Sequence, residues 1–273
     1  MSGTLDYFSL VKMIKEGRLK SSVFLFYGPE RHLADDALRL LADHYLTPGA
    51  KDFNLLKLDA RDLDSGHLSN ELNGLPIFSD YRVVVVDHAE KYFASNKQRS
   101  QGEEEVIARF LDNPNSSCCL VFIMEGKPDK RKNLFKKVLS SGQTVEFAPL
   151  KEAQLSYWLK GRLNQNGKRI TEEALNYLIT STVNNLSVFQ QELEKLFLFA
   201  PEAEEISLDM VRMTVSRTAN AGIFDLVDAV GEKKTARAVD LLREMLIAGE
   251  PPVYILFMIA RQYRLLLSVK SLL

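Results

Sequence analysis

The sequence predicts an α/β domain on a doubly wound parallel sheet, followed by an all-α region. Up to about Ala148, short runs dense in β-branched and aromatic residues alternate with helical patterns. Such alternation builds a parallel sheet with helices on its faces. After Pro149-Leu150 only helical patterns continue. A third observation is local. In Val23–Leu41 an apolar run ends at Tyr27-Gly28, turns, and enters an amphipathic helix. Strand, glycine turn and helix N-terminus follow one another in this order in a phosphate-binding loop.

In chain order, strands are expected at Val23–Tyr27, Asn54–Asp59, Arg82–Asp87, Cys119–Met124 and Thr144–Phe147, each bounded by turn formers. Helices are expected between them at Leu33–Tyr45, Leu63–Leu72, Glu103–Leu111 and Lys130–Leu139. Val83–Val86 has no polar alternation, as a strand covered on both faces requires. Beyond Leu150, helices are expected at Ser156–Asn164, Thr171–Thr180, Leu186–Phe199 and Ser207–Val215, with no convincing strand between them. Thr171 is placed to cap its helix, with Glu172 and Glu173 favourable in the first turn. Asn166-Gly167 reads as a turn, and Pro201 follows a helix end. A third segment begins near Ala219, with helices at Ile223–Val230, Thr235–Ile247 and Pro252–Leu273. The expected divisions are residues 1–149, 150–217 and 218–273.

The chain has 273 residues and a net charge of −1, so no global field recruits nucleic acid or anionic membrane. Its two cysteines, Cys118 and Cys119, are adjacent in an apolar run. Neighbours on a strand face opposite ways, so they read as reduced packing residues of a cytoplasmic protein. The N-terminus is amphipathic and charged throughout, without the apolar core of a signal peptide. Val253–Leu273 is apolar, but Arg261, Arg264 and Lys270 interrupt it, so it reads as a packed helix rather than a bilayer span. Its apolar face, at Leu256, Ile259, Tyr263, Leu266 and Leu267, has little sequence left to cover it. The expectation is a truncated chain or a helix packed on another subunit.

The glycine turn lacks the chemistry of a nucleotide site. Counted from Gly28, the places of the second glycine, the phosphate Lys and the magnesium-binding Ser/Thr hold Leu33, Ala34 and Asp35. Val83–Val86 is followed by Asp87, where such sites hold magnesium, but His88 stands where the water-polarising Glu belongs. Gly28, Asp87 and His88 thus outline a degenerate nucleotide site, and hydrolysis by this chain alone is not expected. Just before that strand runs Gly74-Leu75-Pro76-Ile77-Phe78-Ser79-Asp80. Pro76 forces the preceding helix to end. Leu75, Ile77 and Phe78 then lie on a short loop at a sheet edge, where they either tuck under the loop or form an exposed anchor for a partner's pocket. Lys127–Lys137 is a basic run. It is read as the solvated face of a helix burying Leu134, Phe135 and Val138, with phosphate contact through Lys127, Lys130, Arg131 and Lys132 as the other reading. The four histidines show no metal-ligand spacing, and no independent enzyme site is found.

Several segments together resemble one family. They are Phe24–Glu30, Leu75–Val86, Asp129-Lys130-Arg131, Asn185-Leu186-Ser187 with Glu192–Leu196, Ile223–Val230 and Ile259–Arg264. In this order they are similar to the delta subunits of bacterial DNA polymerase III. The resemblance implies a clamp loader component of AAA+-like architecture: a RecA-like domain with a degenerate phosphate loop, a helical lid and a helical collar, here partial. It implies an accessory subunit of a DNA-directed DNA polymerase that needs no cofactor and hydrolyses no ATP. Its implied partners are the sliding clamp (beta subunit), the motor subunits (gamma/tau), delta-prime and, through the complex, primed DNA. The clamp-binding residues would be Ile77 and Phe78, flanked by Leu75. An ATPase of AAA+ type with an atypical nucleotide site, and a standalone DNA-binding protein using Lys127–Lys137, remain the competing readings.

Overall fold

The computed structural model describes residues 4–19, 21–95, 101–182, 185–215, 219–247, 249 and 251–270. It divides into two compact units, Met1–Pro149 and Leu150–Leu273. The expected division near residues 217 and 218 lies outside the described residues.

In the first unit the chain runs β1 (Leu5–Asp6), α1 (Tyr7–Lys15), β2 (Val23–Tyr27) and α2 (Arg31–Tyr45). After a short turn at Pro48–Ala50 come α3 (Lys51–Asn54), β3 (Leu55–Asp59), α4 (Ser65–Asn73), β4 (Arg82–Asp87) and α5 (Glu90–Phe93). The unit closes with α6 (Gln101–Asp112), β5 (Cys118–Met124), α7 (Asn133–Ser141) and β6 (Gln143–Glu146). The strand order is β1-β6-β2-β5-β4-β3 and every pairing is parallel. The register sets Val23 beside Leu120, Val83 beside Cys119 and Leu55 beside Val83. The expected strands are thus present. One boundary moves with consequence: Asn54 ends α3 instead of opening β3.

Both faces of the sheet are covered, which is why β2, β5 and Val83–Val86 are wholly buried. On one face Val23, Leu25, Val84, Leu120 and Phe122 pack with Leu68, Ile107, Phe135 and Val138. Phe24, Phe26 and Phe147 also stack edge to face, with Phe26 and Phe147 centroids 5.0 Å apart. The amphipathic N-terminus supplies β1 and α1. Asp6 caps α1 by accepting from the Ser9 amide at 2.8 Å. Tyr7 donates its hydroxyl to the buried Asp36 of α2, which Arg39 also pairs at 2.6 Å. Cys118 and Cys119 are buried and reduced, and burial pushes both thiols up, Cys118 to about 12.

The second unit contains α8 (Glu152–Gln165), β7 (Arg169–Ile170), α9 (Glu172–Ser181), α10 (Leu186–Phe199), β8 (Glu205–Ile206) and α11 (Leu208–Thr214). It continues with α12 (Ala219–Gly231), α13 (Thr235–Ile247) and α14 (Pro252–Lys270). Thr171 caps α9, its hydroxyl accepting from Ala174 at 3.3 Å, and Asn185 caps α10. The expectation of no strand here is wrong. β7 and β8 pair in parallel, Arg169 beside Glu205 and Ile170 beside Ile206. Two residues are too few to carry a period-2 pattern. The Arg169 amide bonds the Glu204 carbonyl at 2.7 Å and the Thr171 amide the Ile206 carbonyl at 3.2 Å, and beside the pair the buried Lys168 Nζ donates to the carbonyls of Ala200, Pro201 and Ala203 at 2.7, 2.8 and 2.7 Å. It thereby satisfies three carbonyls of the turn that follows α10. Ile223, Leu226, Val227, Leu241, Met245 and Ile255 form a separate core of α12, α13 and α14. Leu256, Tyr263, Leu266 and Leu267 remain exposed on α14, while Ile259 packs partly on that core. Among the described residues no helix is long and apolar enough to cross a membrane.

Lys168→Met removes the ammonium and leaves three carbonyls to find other partners. It is expected to destabilise this unit by about 2–4 kcal/mol. Trp158, the only tryptophan, is buried in α8 and makes its fluorescence a local probe. A urea midpoint by Trp158 fluorescence equal to that of the parent protein would show that the three bonds contribute nothing.

Candidate docking site and the closed nucleotide end

The loop between α4 and β4 is tied to the body at two places. Asp64 starts α4 by accepting from the His67 amide at 2.9 Å, and the helix ends at Gly74. The Arg82 guanidinium lies across Gly74, so closely that a Cβ there would collide with it, and it pairs with Glu71. The second tie is at the middle of the loop. The Ile77 amide donates to Asn54 Oδ1 at 2.7 Å, and Asn54 Nδ2 donates to the Ile77 carbonyl at 2.7 Å and to Ala50 at 2.9 Å. Asn54 itself is 1 % exposed. At the loop's end Tyr81 packs on Tyr45, whose hydroxyl reaches the Ser21 carbonyl at 2.8 Å.

The side chains of this held backbone face water. Leu75 is 79 % exposed, Ile77 48 % and Phe78 95 %. Of the two arrangements left open by the sequence, the tucked one is therefore absent. Phe78 has φ 51°, a left-handed conformation costly for a bulky residue and kept only where the surroundings impose it. The loop precedes β4, the neighbour of the edge strand β3, and so is not at the sheet's lateral edge. That correction follows from β3 pairing outside β4, an order no local pattern encodes. Sequence reasoning missed Asn54, whose role depends on a bond 23 positions along the chain. It also missed Phe53, which is 62 % exposed beside it.

At the other end of the strands, Gly28 has φ 130°, and a Cβ there would collide with the Phe147 carbonyl. The glycine admits the chain's own backbone, with the Glu30 amide donating to Phe147 O at 3.1 Å. Leu33 and Ala34 are buried on α2, and their amides return to the Glu30 carbonyl. Asp87 is held by the Arg31 guanidinium, Nη1 to Oδ1 at 2.7 Å and Nη2 to Oδ2 at 2.5 Å, while Arg31 Nε meets Asp35 at 3.0 Å. Burial raises the pKa of Asp87, but the Arg31 and His88 hydrogen bonds outweigh it and hold the carboxyl below its usual range. His88 has φ 53°, its amide bonds to Asp87 Oδ1 at 2.8 Å, and its Nε2 lies 3.9 Å from Asp59. Arg61 forks onto Asp59 and lowers that carboxyl as well.

The basic run is not a helix face at its start. α7 begins at Asn133, so Lys127, Lys130, Arg131 and Lys132 lie on the turn before it. Asp129 accepts from both the amide and the guanidinium of Arg131 in this turn and competes with helix propagation. Arg131 forks onto Asp129 at 3.0 Å, and Lys132 reaches the Tyr92 carbonyl at 2.9 Å and Glu104 at 3.6 Å. Leu134, Phe135 and Val138 are buried, as the pattern predicts.

Comparison with known proteins finds similarity along most of the chain. The family model described as DNA polymerase III, delta subunit, matches residues 24–148, and that of the DNA polymerase III delta subunit, C-terminal domain, matches residues 220–273. A third, described as a middle domain, matches residues 151–213. The DNA polymerase III subunit delta of Bacillus subtilis is 25 % identical over 267 residues, covering 96 % of this chain and 76 % of that protein. Its Escherichia coli counterpart is 30 % identical over 119 residues, 44 % of this chain and 34 % of that one. The solved structure of the Bacillus subtilis DNA clamp loader delta protein matches with TM-score 0.70 at 24 % identity, over 97 % of this chain and 79 % of that one, a likeness of fold.

The Arg31–Asp87 pair carries a pH signature. A carboxyl depressed in the fold contributes stability above its unfolded pKa of about 4 and loses it as pH falls below that value. Both partners keep part of their hydration, so Asp87→Asn is expected to cost about 1 kcal/mol at pH 7. The cost should shrink toward pH 3. Urea unfolding followed by far-ultraviolet circular dichroism checks this, and an equal deficit at both pH values would rule the pair out as its source.

Proposed function

The chain belongs to the DNA polymerase III delta-subunit family, and on that premise we propose that it grips the sliding clamp through Leu75, Ile77 and Phe78 and opens the ring for loading onto primed DNA. The observation that carries this reading is the loop itself. Three apolar side chains are exposed on a loop whose backbone is held at Ile77 by Asn54. Exposed apolar groups on an ordered loop fit a partner's pocket, and an ordered backbone loses little entropy on docking. Phe78 is suited to be the central anchor, since an aromatic ring brings much area on few rotatable bonds.

In this reading residues 1–149 bind the clamp, 150–217 form the lid and 218–273 belong to the collar. As a clamp loader subunit in the cytoplasm, the chain works beside the motor subunits and delta-prime. It needs no nucleotide of its own. The Arg31 fork on Asp87 supports this, because a cation of the chain already sits on the carboxylate that would hold magnesium. The same fork weighs against an AAA+-type ATPase with an atypical site. Lys127 and Lys130 would be the phosphate contacts of the basic turn, since Arg131 and Lys132 are engaged with Asp129 and Glu104. Opening the ring requires that the chain favour the open clamp over the closed one, since a ligand shifts an equilibrium only by its differential affinity.

The Ile77→Ala/Phe78→Ala double variant is expected to bind purified sliding clamp at least about 100-fold more weakly without nucleotide. Its melting midpoint should match the parent protein, because neither side chain is buried. Undiminished binding in surface plasmon resonance would overturn the assignment of the tip.

A further inference from the structure

We propose that Asn54 is the positioning residue of the docking tip, an inference that rests on the clamp-binding reading of Leu75, Ile77 and Phe78. A buried amide side chain must find partners for two N–H donors and a carbonyl oxygen. Asn54 finds them in one arrangement. Both hydrogens of Nδ2 go to carbonyls, those of Ala50 and Ile77, and Oδ1 accepts the Ile77 amide. Turning the amide over would set its oxygen against two carbonyl oxygens, so the network fixes its orientation.

Toward Ile77 the side chain behaves as a neighbouring strand would. It offers a donor and an acceptor side by side, and it engages both backbone groups of one residue. That residue lies between Leu75 and Phe78, so its orientation decides where all three side chains project. The next residue, Phe78, has φ 51°. A bulky side chain stays in that region only when the chain on either side is over-determined. Asn54 supplies the constraint before it. Being the last residue of α3, immediately before β3, Asn54 is itself held by the sheet, whose register places Leu55 beside Val83 of β4. The tip is therefore referenced to the rigid body through two adjacent strands, and its conformation is set before the partner arrives.

Asn54→Asp tests this at almost constant volume. It keeps an acceptor for the Ile77 amide but points a second oxygen at the Ala50 and Ile77 carbonyls. Clamp affinity should fall about tenfold, with most of the secondary structure retained, and the Ile77 amide should exchange faster with deuterium. In the Phe78→Ala background the same substitution should cost about threefold or less, since a residue acting through the tip has less left to position. A purely structural residue would give the same factor in both backgrounds, and that result, or wild-type affinity of Asn54→Asp, overturns the proposal. Asn54→Ser carries the same comparison if Asn54→Asp does not fold. The two readings fail separately. Wild-type binding by Ile77→Ala/Phe78→Ala removes the docking reading itself, whereas loss of binding there with full affinity in Asn54→Asp removes only the role of Asn54.

Discussion

Every strand pairing in the first unit is parallel, so each connection must travel back along the sheet before the next strand can start. This constraint sorts the loops into two sets at opposite ends of the strands. Gly28, Asp59 and Asp87 follow strands, at the end where open parallel sheets ordinarily hold ligands. Asn54 and the Gly74–Tyr81 loop precede strands, at the other end. From Arg82 to Asp87 the strand β4 spans about 17 Å. The closed nucleotide end and the apolar tip are thus separate places joined by one buried strand, and neither shapes the other by contact.

The two ends have opposite physics. The end that follows the strands is saturated. Its charges meet one another, Arg31 with Asp87 and Asp35, Arg61 with Asp59. Its first glycine is occupied by the chain's own carbonyl. What remains of the phosphate-binding geometry serves packing, because the Gly28 turn lets β6 run directly into Phe147 beside β2. The end that precedes the strands is unsaturated in the apolar sense. Its backbone is bonded on both sides at Ile77, while Leu75 and Phe78 stand largely in water. Stabilising interactions inside the unit have been spent on fixing a surface that gains only when something covers it.

β2, β4 and β5 were readable because they are runs of β-branched and aromatic residues covered on both faces, a pattern that survives without tertiary knowledge, whereas the two-residue β1 carries no such pattern. Thr171 was readable too, a cap that acts within three residues. What escaped the sequence acts over long separations. The β7–β8 pair joins residues more than thirty positions apart, as do the Lys168 bonds beside it. Whether Leu75 and Phe78 were tucked or exposed turned on Asn54, and in sequence Asn54 looks like the start of a strand. The basic turn was misread as helical because charge spacing near a helix start does not reveal that Asp129 accepts from the Arg131 amide.

On the docking reading, the tip explains attachment better than it explains opening. Three exposed apolar residues of the anchor kind, at about 2 kcal/mol or more apiece, give ample affinity for a pocket. A pocket that is alike in the open and closed ring gives equal affinity for the two states, which shifts nothing between them. Moving a ring from mostly closed to mostly open takes about 5.5 kcal/mol of difference. The difference must come from contacts made only when the clamp subunit changes shape. Candidates lie beside the tip, in Phe53 and Tyr81, which are exposed and sit on the same rigid frame as Asn54 and Arg82. A pinned tip is what makes such contacts effective. If the loop yielded, the clamp could keep its closed shape and the loop would bend; with Ile77 held at both backbone groups, the mismatch is borne by the clamp.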